Sequence, residues 1–309
     1  MESNTRLNIS DFIARRFDDV VISGHAVAIR LRREIVGVTP KQIRVGIEGL
    51  SRLNPGRFGG SLSFEEIAGV NCGIATFQGL EDKNKRVVWI HGGGFSFGSA
   101  RVYKATAIFL ANAMKCEVII PEYRLAPEHP YPAPVDDAFS VFSEVAKKQG
   151  KTYLVGDSAG GNLAACVVMR SIKEGNPLPA KLGLLSPWMD LSKSSLSNEL
   201  NVSEFSPFDN LDAVAFSRAY IGKMKDDDPL VSPLFGSFIG FPETHVQGSE
   251  IEFLYSDYIN TVEELKKSDV NFTFHVEPKS LHAWHLMPDI LPDAKRSMQI
   301  LADFFTEEI

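Results

Sequence analysis

The sequence has 309 residues, 44% of them hydrophobic, and a formal net charge of −7, so it is long enough to bury a sizeable core. No block of Lys and Arg and no Cys/His spacing typical of zinc sites occurs, which argues against a nucleic-acid-binding or zinc protein. The three cysteines are odd in number and widely spaced, a pattern that fits a reducing compartment better than a disulfide framework.

The first 55 or so residues differ in pattern from the rest. Amphipathic helices are predicted at 12–17 and at 40–50, the second beginning at a proline. The polar start lacks the apolar region of a signal peptide, and the apolar stretch 20–29 is interrupted by polar residues and glycine. That stretch is shorter than the roughly 18 apolar residues that indicate a membrane span. We therefore expect a cytoplasmic protein without a membrane span.

Gly and Pro cluster at 54–60 as in a loop, and strands then alternate with helices. The predicted strands cover 68–77, 86–90, 117–120, 152–155, 181–185, 245–248 and 271–276, and the predicted helices cover 103–114, 136–149, 161–174, 211–221, 257–267 and 290–305. Such alternation predicts an α/β fold with a mostly parallel sheet. The stretch 190–242, rich in Ser, Pro and Asp, interrupts it, and insertions beyond the strand ends of such sheets tend to become lids.

A serine lies between the predicted strand 152–155 and the predicted helix 161–174, in the sequence Gly-Asp-Ser-Ala-Gly. A Gly-x-Ser-x-Gly turn at a strand-to-helix junction holds the serine exposed above the sheet edge, as a nucleophile requires. The five-residue pattern alone also fits a coincidental Gly/Ser turn. Its placement between strand and helix favours Ser158 as the nucleophile.

Three glycines follow the apolar strand 86–90, in the sequence His-Gly-Gly-Gly-Phe. Glycine lets backbone N–H groups approach a substrate closely, and acyl transfer needs such donors for its oxyanion. In α/β-hydrolases a loop at this place supplies half of the oxyanion hole, and the amide after the nucleophile, here Ala159, supplies the other half. The alternative is a phosphate-binding loop, but the stretch has neither the Lys and Ser/Thr of a P-loop nor a Gly-x-Gly-x-x-Gly pattern.

These motifs occur in order with three others. The full set is His91 to Phe95, Tyr123 to Glu128 (YRLAPE), Gly156 to Asn162, Asp228 to Pro233 (DPLVSP) and the late histidine His282. From about residue 60 onward the chain resembles the hormone-sensitive-lipase family of carboxylesterases (bacterial lipase family IV), which have an α/β-hydrolase fold with a helical cap. The resemblance implies a catalytic domain over 56–309, with 1–55 and 190–242 contributing to the cap.

The resemblance also implies that Gly93, Gly94 and Ala159 donate to the oxyanion and that His91 fixes the loop without acting as the base. The base should follow the acid in the chain. His282, in the loop after the last predicted strand, matches the late histidine of the family, and His285 is the alternative. His275 lies inside a predicted strand.

The acid is harder to assign. Asp228 belongs to a segment that lies upstream of the acid in the family. Aligning the stretch after the predicted strand 245–248 with the family pattern places Glu252 at the acid position, with one extra residue before it. Glu250 is the alternative if that residue falls later. We expect Asp257 to cap the next helix, although it also competes for the role.

The predicted function is that of a serine carboxylesterase that hydrolyses short- to medium-chain acyl esters through an acyl-enzyme. The implied partner is a small-molecule ester, with no metal, cofactor or nucleic acid, and the oligomeric state, a homo-oligomer included, stays open. An amidase, lactonase or deacetylase would use the same triad, and a receptor without catalysis would use the same fold. Arg124 and Glu128 are predicted to form an internal ion pair or a hydrogen-bonded clamp under the glycine loop.

Overall fold

A single mixed sheet of eight strands forms the centre of the molecule. The computed structural model describes residues 44–45, 48–49, 58–77, 79, 84–192 and 210–307. The strands are β1 (Gly60–Ile67), β2 (Val70–Phe77), β3 (Lys85–Ile90), β4 (Glu117–Pro121), β5 (Lys151–Asp157), β6 (Leu182–Leu185), β7 (Thr244–Ser249) and β8 (Phe272–Glu277). Their order in the sheet is β1-β2-β4-β3-β5-β6-β7-β8.

The direction of the strands changes at one end of the sheet. β1 and β2 form an antiparallel pair, and β2 is antiparallel to β4, whereas all pairs from β4 to β8 are parallel. The predicted mostly parallel sheet is thereby confirmed. Because parallel strands end at one edge, the loops after β3, β5, β6, β7 and β8 meet there.

Six helices of the described residues cover the two faces of the sheet or extend beyond it. They are α1 (Lys104–Met114), α2 (Ala133–Ala146), α3 (Ala159–Glu174), α4 (Asn210–Ile221), α5 (Tyr255–Lys267) and α6 (Pro292–Thr306). α1 and α6 pack on one face, and α2, α3 and α5 pack on the other. Successive side chains of a strand point to opposite faces, so β3 buries Val87 and Trp89 in one core and Val88 and Ile90 in the other.

Most predicted elements are found with ends within three residues of those expected. β1 was not predicted, because six of its eight residues are exposed and its sequence has no apolar run or alternation. It joins β2 through a tight turn at Ala68 and Gly69, which have φ values of 51° and 80°. α2 begins three residues earlier than predicted, with Pro134 in its first turn.

Parts of the predicted cap fall outside the described residues. The predicted helix 12–17 and the stretch 193–209 lie wholly outside them. Of the predicted helix 40–50, residues 44–45 and 48–49 are described and are helical. Among the described residues, no helix combines the length and apolarity that a membrane crossing requires. All three cysteines are buried, and none of them forms a disulfide bond.

Candidate active site

The turn between β5 and α3 holds Ser158 in a strained conformation. Its φ and ψ are 52° and −123°, which few residues other than glycine adopt. A Cβ on Gly156 would meet the backbone of Gly160, and a Cβ on Gly160 would meet the carbonyl oxygen of Ile90. Only glycine at both positions lets strand, turn and helix come this close. The N–H of Ser158 donates to the Leu185 carbonyl at 2.9 Å, which ties the turn to the end of β6.

Three side chains from three loops form a hydrogen-bonded chain at the carboxyl edge of the sheet. Ser158 Oγ lies 2.9 Å from His282 Nε2, and His282 Nδ1 lies 2.7 Å from Glu252 Oε2. Ser158 follows β5, Glu252 follows β7, and His282 follows β8. The side chains of His282 and Glu252 are 6% and 0% exposed, so their hydrogen bonds lie away from bulk water, where they are electrostatically stronger.

Two further donors orient the carboxylate of Glu252. Its Oε1 accepts from Ser186 Oγ and from the Ser249 amide, both at 2.8 Å. These bonds satisfy one oxygen and leave Oε2 to face His282. Sequence reasoning missed Ser186, although its position directly after β6 puts it at the same edge of the sheet as the other loops.

The other candidates for the acid and the base lie outside this hydrogen-bonded chain. Glu250 is exposed, and Asp228 accepts from the Leu230 amide within its own turn. His275 Nε2 lies 2.9 Å from Glu277. Asp257 is not the helix cap that we expected: α5 begins at Tyr255. Asp257 instead accepts from the amides of residues 189 and 190 beyond β6.

The glycine-rich loop after β3 packs directly against the turn that holds Ser158. Gly93, Gly94 and Phe95 have φ values of 111°, 55° and 59°, and a Cβ on Gly93 would collide with the Phe97 backbone. No described residue accepts a hydrogen bond from the amides of Gly93, Gly94 or Ala159. Backbone N–H groups without an acceptor are the kind of donor that a developing oxyanion requires.

His91 lies under this loop and is hydrogen-bonded to it. Its ring stacks on Tyr123 with centroids 4.2 Å apart, and its Nδ1 lies 2.7 Å from the Gly92 carbonyl. Burial lowers the pKa of His91 from 6.5 to about 4, although the Gly92 carbonyl and Asp157 oppose this shift. The ring is therefore neutral at pH 7, and it lies below the loop and outside the Ser158–His282–Glu252 chain.

The predicted ion pair between Arg124 and Glu128 is wrong. Arg124 binds Asp137 of α2 through two side-chain nitrogens, at 2.7 and 2.8 Å. Glu128 pairs with Arg44 at 2.7 Å. The same guanidinium donates to the carbonyls of Ser96 and Ala126, at 2.7 and 2.8 Å. Residue 44 is thus attached to the segment that follows the glycines.

Helix α4, from the interrupted stretch 190–242, approaches the glycine-rich loop. A Cβ on Gly94 would lie 3.0 Å from the ring of Phe216. That ring also meets Phe97 edge-on, with centroids 5.5 Å apart. Within the described ranges, no group of three His, Cys, Asp or Glu side chains is arranged to hold a metal ion.

The chain is similar to known proteins over most of its length. A family model described as the α/β-hydrolase fold matches residues 87–286. An esterase of Acinetobacter venetianus is 29% identical over 279 residues, which are 88% of this chain and 90% of that protein. An acetyl-hydrolase of Streptomyces hygroscopicus is 28% identical over 76% of this chain and 79% of its own length. The crystal structure of an esterase from the bacterial hormone-sensitive lipase family superposes with a TM-score of 0.83 at 27% identity, covering 92% of this chain and 96% of its own.

Proposed function

Since this chain belongs to the α/β-hydrolase family, within its hormone-sensitive-lipase group, we propose that it is a serine carboxylesterase working through Ser158, His282 and Glu252. The observation that carries the proposal is the hydrogen-bonded chain from Ser158 Oγ through His282 to Glu252. These distances support the assignment of Ser158 as nucleophile, His282 as base and Glu252 as orienting acid, because acyl transfer needs these groups within hydrogen-bond reach of one another.

In the proposed reaction, Ser158 Oγ attacks the ester carbonyl while His282 Nε2 takes its proton. Glu252 accepts from Nδ1, so it fixes the tautomer and stabilises the imidazolium. His282 then gives the proton to the departing alcohol, which leaves an acyl-enzyme. A water molecule, activated by the same histidine, attacks that ester, releases the acid and restores the serine.

The negative charge of each tetrahedral intermediate falls on the former carbonyl oxygen. We assign its stabilisation to the amides of Gly93, Gly94 and Ala159, which have no acceptor among the described residues. Donors already in place cost no reorganisation at the moment of reaction. The loss of one donor typically costs about 3–4 kcal/mol of transition-state stabilisation.

We propose short- to medium-chain acyl esters as the substrates. We also propose that residues 56–309 form the catalytic domain and that 1–55 and 190–242 contribute its cap. The acetyl-hydrolase of Streptomyces hygroscopicus supports a short acyl group. The contact of Phe216 with Gly94 supports a cap that limits the space above the oxyanion donors. The three buried cysteines, which form no disulfide bond, support a reducing, cytoplasmic location.

The test compares wild type with Ser158→Ala on p-nitrophenyl acetate, butyrate and decanoate. We expect the wild type to turn over acetate and butyrate faster than decanoate, and Ser158→Ala to lose at least about 10³-fold in kcat. If neither wild type nor Ser158→Ala hydrolysed the esters while both still bound a ligand, the result would support a receptor without catalysis. Faster turnover of the matching anilides or of lactones than of the esters would support an amidase or a lactonase.

A further inference from the structure

A second carboxylate is buried beside Ser158 and has no part in the reaction as described. Asp157, the last residue of β5, is 1% exposed. Its Oδ1 accepts from Trp89 Nε1 at 2.9 Å and from the Gly92 amide at 3.1 Å. Its Oδ2 accepts from the hydroxyl of Tyr103 at 2.6 Å. The Gly-x-Ser-x-Gly pattern does not predict any of these three donors.

The environment of Asp157 keeps it charged. Burial by itself raises the pKa of a carboxyl group, but His285 and the hydrogen bonds from Tyr103 and Trp89 hold the pKa of Asp157 below its ordinary value. A buried anion with several donors orders the groups around it, because each donor that turns away leaves charge unpaired.

One of these donors belongs to the glycine-rich loop. The Gly92 amide is shared between Asp157 and the hydroxyl oxygen of Tyr103, at 3.1 and 2.8 Å. The approach is close enough that a Cβ on Gly92 would lie 2.5 Å from Asp157 Oδ2. Asp157 and Tyr103 therefore hold the peptide unit between His91 and Gly92, from which the chain continues directly to the amides of Gly93 and Gly94.

Another neighbour belongs to the segment that follows His282. His285 is fully buried, its Nε2 lies 3.6 Å from Asp157 Oδ2, and neither ring nitrogen has a hydrogen-bond partner among the described residues. Its ring stacks on Trp89, and its carbonyl accepts from Thr106 Oγ1 at 3.0 Å. The Asp157 carboxylate thus faces this imidazole, three residues after the proposed base.

We propose that Asp157 is a positioning residue that fixes the glycine-rich loop and the His282 segment in register with Ser158. It touches no reacting atom and acts through Gly92, which sets the amides of Gly93 and Gly94, and through His285. The inference rests on the proposed esterase function. Because oxyanion donors matter most in the transition state, a shifted loop lowers kcat and leaves KM nearly unchanged.

The test is Asp157→Asn, which keeps the size of the side chain but removes the charge and one acceptor. We expect kcat on p-nitrophenyl butyrate to fall by about 10- to 100-fold, with KM within about 3-fold of wild type. The affinity for an alkyl trifluoromethyl ketone, which forms a tetrahedral adduct with a serine, should fall by a similar factor. Tyr103→Phe, which leaves the charge but removes one donor and the second acceptor of Gly92, should show a smaller loss of the same kind.

Lys181→Met is the matched control, since Lys181 is also a buried charge with several partners. It lies at the opposite edge of the sheet, before β6, and donates to the carbonyls of Phe304 and Glu307 at 2.7 and 3.0 Å. We expect it to lower Tm without changing kcat. If Asp157→Asn behaves in the same way, Asp157 is merely structural and the proposal is overturned.

Two further outcomes, an unfolded Asp157→Asn and an inactive wild type, are distinguished as follows. If Asp157→Asn does not fold, Tyr103→Phe decides: an unchanged kcat overturns the proposal, and a lower kcat at constant KM supports it. If wild type has no more esterase activity than Ser158→Ala, the proposed function fails. The role of Asp157 is then tested by the affinity for the trifluoromethyl ketone. If Asp157→Asn forms the adduct with the same affinity as wild type, the inference is overturned.

Discussion

The carboxylate of Glu252 is held at three points, and this makes it a fixed acceptor. Ser186 and the Ser249 amide bind one oxygen, and His282 faces the other. The exposed side chain of Glu250 lies only two positions earlier in the chain. The turn after β7 thus separates an orienting acid from a surface charge.

Glu252→Gln should therefore be far more harmful than Glu250→Gln. A glutamine has a single carbonyl oxygen, so it can accept from the Ser249 amide or from His282 Nδ1 but not from both, and its N–H₂ group then faces the other donor. We expect kcat to fall by about 10²- to 10⁴-fold in the first variant and by less than about 2-fold in the second.

Steady-state hydrolysis of p-nitrophenyl butyrate measures kcat for both variants, and thermal melting of each variant checks that it is folded. A large loss in Glu250→Gln alone would move the acid to residue 250. The sequence could narrow the acid to this stretch but could not decide within it, because the path of the turn at 250–254 depends on contacts with Ser186 and His282 from other loops.

At the scale of helices and strands, burial determines how clearly the sequence predicts each element. β3 and β5 are almost fully buried, so their apolar runs are unmistakable. β1 is an exposed edge strand whose pairing with β2 stabilises it, and its side chains carry little pattern. The nucleophile turn is predictable for a third reason: close backbone contacts require its glycines, at Gly156 with Gly160 and at Gly160 with Ile90, and these glycines form the recognisable Gly-x-Ser-x-Gly pattern.

Gly160 offers a direct test of that requirement. We expect Gly160→Ala to lose most activity and to unfold more easily, because the new methyl group meets the backbone at the end of β3. Gly175→Ala, just after the same helix, is the matched control. Its φ is 69° and no atom lies near the added methyl group, so we expect a cost of about 1 kcal/mol in unfolding free energy and an unchanged kcat.

Urea unfolding and ester hydrolysis of the two variants check this prediction. Equal kcat values for Gly160→Ala and Gly175→Ala would show that the close approach of β3, the turn and α3 is not needed for activity.

At the scale of the whole molecule, the candidate site joins loops that are far apart in the chain, and its supports come from farther still. Ser158, Gly93, Gly94 and His282 were predictable because each belongs to a recognisable motif. Arg44 and Tyr103 belong to none: their roles appear only where residue 44 meets Glu128 and where Tyr103, just before α1, meets Asp157. Three-dimensional contacts of this kind leave no local pattern to read.

Two buried histidines make global stability depend on pH. Burial lowers the pKa of His91 and of His245 from 6.5 to about 4. Below pH 6.5 the unfolded chain binds protons that the folded chain does not, so the free energy of unfolding falls as the pH drops from 6.5 toward 4. Each histidine should contribute a loss of up to about 2 kcal/mol at pH 5.

Urea unfolding at pH 7.5 and pH 5 measures this loss. His245 is the better position to vary, because its ring lies at the start of β7 against Thr273 and Gln247, away from the glycine-rich loop. In His245→Asn we expect the difference between the two pH values to shrink by up to about 2 kcal/mol. An unchanged difference would mean that this ring does not couple folding to proton uptake.

The buried cysteines have a practical consequence for covalent labelling. Burial raises the pKa of Cys72 and of Cys166 to about 12, with Glu122 adding to the shift at Cys72, and Cys116 is fully enclosed. Thiolate, the form that attacks alkylating electrophiles, is therefore scarce at neutral pH. An iodoacetamide should leave the native chain unmodified, whereas a fluorophosphonate should attach at a single oxygen. The intact mass of the adduct would thus count active molecules without any interference from sulfur.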